Sequence, residues 1–168
     1  MRRSPPVPRL SWRRDPARAA LLAIYAEVDR LLVDVVCDAS TECCRFGITG
    51  REPYPTAVEL AEVRHAAAAA TPARDGADDG AARRRRGLPI AADGERRCPL
   101  LSAEGRCRIY ASRPFGCRTF FCARATRPGK EPRAEIQRLS RAIADLSARA
   151  FPDDPLPRPL TRALAAPR

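Results

Sequence analysis

Seven cysteines carry the chemistry this sequence can do, and they fall into two groups: Cys37, Cys43 and Cys44, then Cys98, Cys107, Cys117 and Cys122. A thiolate is a soft, anionic donor suited to zinc, iron and iron–sulfur clusters. An odd number of cysteines cannot be fully paired as disulfides, and clustered thiols in a reducing compartment more often bind metal. They stand beside polar residues such as Asp38, Arg45, Arg106, Arg108 and Arg118. Small buried hydrophobes would instead lie inside apolar periodic segments.

The second group can be tested for convergence. If Ser102–Gly105 forms a turn, an antiparallel register pairing Leu100 with Cys107 puts Cys98 on the same face as Cys107. Cys117 then follows the turn after Tyr110, and Cys122 comes about one helical turn later. Four thiolates can meet there, and Arg45, Arg106, Arg108 and Arg118, each next to a cysteine, are expected to offset their charge. In the first group, the adjacent pair Cys43 and Cys44 is not expected to address one metal easily, so either one packs or a second metal or a cluster takes it. His65 reads as an ordinary half-exposed helix residue rather than a ligand.

With those residues in view, the chain resembles the YkgJ-type cysteine-cluster family, whose members are described as zinc- or iron-chelating or Fe-S-cluster-containing proteins. The family's front signature is CxxCxxCC, and here residues 37–44 read CDASTECC, with Ser40 where the second cysteine would stand. The back signature is matched by Cys98-Pro99-Leu100, Cys107, Ile109-Tyr110, Arg113-Pro114, Cys117-Arg118 and Phe120, followed by Cys122. The resemblance implies a metal site built from the seven cysteines, holding zinc, iron or an iron–sulfur cluster. Larger relatives with this cluster include flagellin lysine N-methylases, which implies an Fe-S-dependent enzyme as an alternative. The chain lacks the CxxxCxxC spacing of radical-SAM enzymes and any Gly-rich nucleotide loop.

The elements that must position these thiols are mostly helical. Leu21, Ile24, Tyr25, Val28, Leu31, Leu32, Val35 and Val36 recur at three- and four-residue steps, predicting an amphipathic helix from Ala17 to near Cys37. Thr56-Ala57-Val58-Glu59 has the form of a capping box, predicting a helix over about 56–70. Turn signals at Asp93-Gly94 and at Ser102–Gly105 suggest a small antiparallel meander with strands near 88–92, 96–101 and 106–110. Ser112 and Pro114 open a short helix through Cys117. Ile136, Leu139, Ile143 and Leu146 mark a last helix whose narrow apolar seam is expected to face the core.

The expected fold class is therefore α+β: a small cysteine-rich metal-binding domain with a short β meander and three to four helices. Residues 1–16 read as an extended arm, 17–151 as the domain with a mobile linker at 71–86, and 152–168 as a proline-rich tail of poor order.

A net charge of +11 and a pI near 10.3 favour polyanions, and Arg83-Arg84-Arg85-Arg86 adds a basic run. The bases are almost all arginine, however, and no aromatic residue interleaves with that run as a base-stacking surface requires. A basic nucleic-acid-interacting module with structural zinc is thus an alternative that is not favoured. The apolar run near the N-terminus is cut by Glu27, Asp29 and Arg30, unlike a signal peptide, and no stretch of about 20 apolar residues is present. A cytoplasmic protein with a metal ion as its partner and no membrane association is expected.

Overall fold

The computed structural model describes residues 12–33, 42–70, 96–119, 132–154 and 156–165. Cys37, Ser40, Cys122, Phe120, the linker read at 71–86 with its arginine run, and the strand predicted at 88–92 lie outside the described residues. Among the described residues the helices follow in the order α1 Pro16–Leu31, α2 Phe46–Thr49, α3 Ala57–Ala70, α4 Phe115–Arg118, α5 Arg133–Ala150 and α6 Leu160–Ala165. Two 3-10 turns, Glu42–Cys44 and Tyr110–Ser112, precede α2 and α4.

Helices α1 and α3 start for local reasons. Asp15 accepts the Ala17 N–H at 2.8 Å, and Pro16 occupies the first helical position, where its missing donor costs nothing. At α3 the Thr56 N–H and hydroxyl both donate to Glu59 Oε2, at 2.8 and 2.9 Å, which closes the reverse half of the expected capping box. The Val58 N–H, another orphan donor of that first turn, reaches the buried Ser147 hydroxyl of α5 at 3.3 Å.

Helix α3 is the axis of the molecule, because AVELAEV is apolar on more than one side. Val58 joins Leu21, Tyr25 and Val28 of α1 and Leu139, Ile143 and Leu146 of α5 in one core cluster. The α5 seam therefore packs inward, as its spacing predicts. Leu60 and Val63 face the other way, into a second cluster with Phe46, Cys98, Ile109, Leu160 and Ala163.

Two sequence expectations change here. The β meander is not formed: among the described residues there is no strand, only the isolated antiparallel bridges Arg45–Arg97 and Leu101–Cys107. The fold is helical rather than α+β. Pro99 has no N–H to give a ladder, and the Leu101 N–H turns back to the Cys98 carbonyl at 3.1 Å. After a single bridge closed by Gly105 at φ +74°, Ser112 bonds back to Ile109 at 2.8 Å and the chain winds into a 3-10 turn. The bridge also pairs Leu101, not Leu100, with Cys107.

The second change concerns the ends. Trp12, inside the stretch read as an arm, is only 2% exposed and its indole donates to Glu62 at 2.9 Å. Within the stretch read as a tail, α6 buries Leu160 and Ala163 against the second cluster, and Glu52 Oε1 accepts from the Thr161 N–H and hydroxyl at 2.7 and 2.6 Å.

Candidate metal centre

The two cysteine groups are brought together by main chain before any side chain is considered. The Cys98 N–H donates to the Cys44 carbonyl at 2.8 Å, and the Gly47 N–H to the Arg96 carbonyl at 3.2 Å. The Arg45–Arg97 bridge lies between them. Two stretches about fifty residues apart in sequence are thereby joined, with Cys44 and Cys98 at the junction.

Five of the seven predicted ligands lie in the described residues, and all five are free thiols. Cys43 and Cys44 share the 3-10 turn before α2, Cys107 lies on the one-bridge hairpin, and Cys117 is on α4. The Cys43 and Cys44 sulfurs are 3.9 Å apart. Although adjacent in sequence, they stand side by side. Four thiolates bound tetrahedrally at about 2.3 Å have sulfurs about 3.8 Å apart, so this pair already spans one edge of such a set. Among the described residues, no group of three Cys, His, Asp or Glu side chains is closed up enough to hold an ion as it stands.

The electrostatics bind the thiols into one group. Contact with Cys43 lowers the Cys44 value, but contact with Cys98, burial, and the charges of Cys98 and Cys107 outweigh it, leaving Cys44 pushed up to about 12. Cys43 is raised through its contact with Cys44 and by burial. Burial is the main cause for Cys107, and for Cys117, where the charges of Cys44, Cys43 and Cys107 add to it. Each thiolate would form in a poorly hydrated place beside others like it, so neutral thiols are favoured until a cation compensates.

The chain belongs to the CxxCxxCC family. Its family model, "Putative zinc- or iron-chelating domain", matches residues 36–138, which span both cysteine groups. No curated protein and no solved structure matches the chain. Membership in the CxxCxxCC family ties the chain to metal chelation, without deciding between zinc and iron. Among the described residues no helix is long and apolar enough to cross a membrane.

The arginines sort differently from their sequence neighbours. Arg118, expected beside sulfur, is buried and turned away: it pairs with Asp29 at 2.5 Å, stacks 4.1 Å over the Tyr25 ring and donates to the Ala111 and Arg113 carbonyls. Arg106 and Arg108 are exposed and Arg45 is half-buried. Arg113 is the one whose charge lowers the Cys43, Cys107 and Cys117 thiols. It stacks 4.1 Å over Tyr110, and its buried Nε has no hydrogen-bond partner. His65 is half-buried on α3.

Two buried carboxylates, unassigned by sequence reasoning beyond the cap, hold the back motif in place. Glu59, 3% exposed, accepts from Tyr25 at 3.3 Å and from the Phe115 N–H at 2.7 Å. Glu62, fully buried, accepts from Trp12, from Arg18 at 2.7 Å and from the Ser112 hydroxyl at 2.9 Å. Burial pushes the Glu62 carboxyl up, but hydrogen bonds from Arg18, Trp12 and Ser112 and the charge of Arg18 leave it below its ordinary value. Their signal was present: two carboxylates three apart in a helix otherwise rich in Ala, Val and Leu.

Proposed function

We propose that the chain is a metal-binding protein that holds zinc or iron, the latter as an ion or in a cluster, on thiolates of Cys43, Cys44, Cys98, Cys107 and Cys117, with Cys37 and Cys122 from the flanking segments. The observation that carries this reading is the meeting of thiols from three separate stretches of chain, with Cys43 and Cys44 at 3.9 Å and Cys117 within the field of Cys43, Cys44 and Cys107. As neutral thiols these groups pack as small hydrophobes, but as thiolates, buried beside one another, they would repel. A divalent cation supplies the positive charge that makes several adjacent thiolates stable together. The sulfur-rich donor set favours zinc or iron–sulfur chemistry over magnesium or calcium.

Each cysteine has a definable share. Cys44 and Cys98 are linked through their own backbone, so they fix the centre to the α2–α3 side. Cys107 and Cys117 come from the hairpin and from α4, so an ion joining all four would tie the back motif to the front turn. If the ion is structural zinc, binding contributes on the order of 10 kcal/mol to folding.

Anaerobic purification with metal analysis and a visible absorption spectrum tests the reading: stoichiometric colourless zinc, or iron with thiolate charge-transfer bands, is expected. Cys98→Ala and Cys117→Ala should each release metal and lower stability together. Full metal retention in both variants, or a wild-type chain that takes up neither metal, sinks the assignment.

A further inference from the structure

The thiol group is not sealed. A cavity of about 260 Å³ opens beside it, lined by Cys43, Arg51, Glu52, Pro53, Tyr54, Gly116 and Cys117. Of the five described thiols, only Cys43 and Cys117 line it. Cys98 is buried at 8% exposure within the second core cluster, and Cys44 and Cys107 pack against that cluster. Pro53 and Tyr54 line it as well, and Tyr54 is 61% exposed. Gly116 lines it too, and a Cβ there would stand 3.3 Å from Pro53 Cβ.

We infer that this cavity is the exchange port of the proposed centre, through which a soft metal ion carried by a small thiol ligand enters and leaves, with Cys43 and Cys117 as the sulfurs it meets first. The inference rests on the metal-binding reading above. Size selects the occupant: at about eight times the roughly 30 Å³ that one water occupies in the liquid, the cavity takes an ion with its small ligands. It falls short of the 300–1,000 Å³ typical of drug-sized ligands. Chemistry selects it too, because two sulfurs on one wall exchange a thiophilic ion by replacing its carrier's ligands one at a time. Such exchange leaves the count of bonds to the ion unchanged at each step, the departing carrier thiolate taking up the proton that the incoming cysteine gives. Glu52 is held in the lining by the Thr161 N–H and hydroxyl.

The first test needs no metal. Metal-free full-length chain is treated with limiting N-ethylmaleimide and mapped by mass spectrometry. Gly116→Val is expected to move Cys43 and Cys117 later in the order of labelling while Cys44, Cys98 and Cys107 keep their rates, and slowing of all five alike, or of none, would overturn the port. A second test uses loaded protein and a chromogenic chelator. The same Gly116→Val, which adds bulk against Pro53, should slow extraction by about tenfold, a barrier increment of about 1.4 kcal/mol, and Tyr54→Ala should speed it. Unchanged extraction rates in both variants, at wild-type metal content, overturn the proposal. A chain that shows the expected change in labelling yet binds no metal would instead mark the failure of the metal reading alone.

Discussion

Glu59 accepts the backbone N–H of Phe115 at 2.7 Å, joining the capping residue of the central helix to the first residue of the helix that carries Cys117. The same carboxylate takes the Tyr25 hydroxyl on that oxygen and both Thr56 donors on the other. Every contact is a donor, so a carboxamide in either orientation would point its NH2 at an N–H or O–H. Glu59→Gln should therefore cost about 1–3 kcal/mol, and Glu59→Ala more, because it leaves several buried donors unsatisfied. Both should weaken metal retention through the loosened α4. Urea unfolding of the metal-free proteins checks the first effect and chelator competition the second; a neutral Glu59→Gln would contradict this account.

Glu62 makes the fold sensitive to acid. Its carboxyl lies below the ordinary value in the folded chain, with Arg18, Trp12 and Ser112 outweighing burial, while the unfolded chain titrates near 4.3. For a depressed carboxylate the unfolded state binds the proton more readily, so the stabilisation is complete above about pH 4.3 and drains away as pH falls through the folded value. Stability should decline with acid below about pH 5, and Glu62→Gln should flatten that limb while lowering stability at neutral pH. Denaturation midpoints measured from neutral to acid pH decide it; an unchanged acid slope in the variant would exclude the linkage.

Arg118 is predicted to be structural. It ties α1 to the back motif through Asp29, the Tyr25 ring and the Ala111 and Arg113 carbonyls. Lysine cannot reproduce the planar fork that makes these contacts together. Arg118→Lys should destabilise the chain by about 1–2 kcal/mol, mostly through the lost hydrogen bonds to the part-buried Ala111 and Arg113 carbonyls and the lost stacking on Tyr25, since Asp29 is half exposed and returns to water. Thermal unfolding should register the loss while metal stoichiometry stays at the wild-type level.

Helix periodicity made α1 and α5 legible, because Leu21, Tyr25 and Val28 on one and Leu139, Ile143 and Leu146 on the other are spaced as buried faces require, while the Thr56–Glu59 capping box marked α3. The cysteine grouping likewise pointed to two stretches that the fold joins, through the Cys98 N–H on the Cys44 carbonyl. What misled was the short apolar run around Cys98–Leu101, where alternation suggests a strand; Pro99 and the back-turning Leu101 amide override it, and periodicity over so few residues cannot separate a strand from a string of turns. Arg118 misled for another reason: adjacency to a cysteine in sequence places a side chain on the opposite side of a helical turn as readily as beside the sulfur. Buried Glu62 was hidden because its partners, Trp12, Arg18 and Ser112, are distant in sequence and only the fold assembles them.

Arg113 is the residue on which the charge of the centre should depend. Its guanidinium lies over Tyr110, its Nε is buried without an acceptor, and its charge lowers three of the thiols. A buried N–H without a partner costs about 1–3 kcal/mol, and a thiolate sulfur created by metal binding would relieve that cost. Arg113→Met should thus leave the metal-free chain within about 1 kcal/mol of wild type yet reduce metal affinity by about 10–100-fold, the range expected for loss of a ligand's hydrogen-bonding partner. The sign with pH follows from the raised thiols: protons compete with the ion, so affinity rises with pH toward the Cys44 value of about 12. The variant should need a higher pH to reach the same affinity. Chelator competition across a pH series measures both effects, and an affinity equal to wild type at every pH would remove Arg113 from the centre.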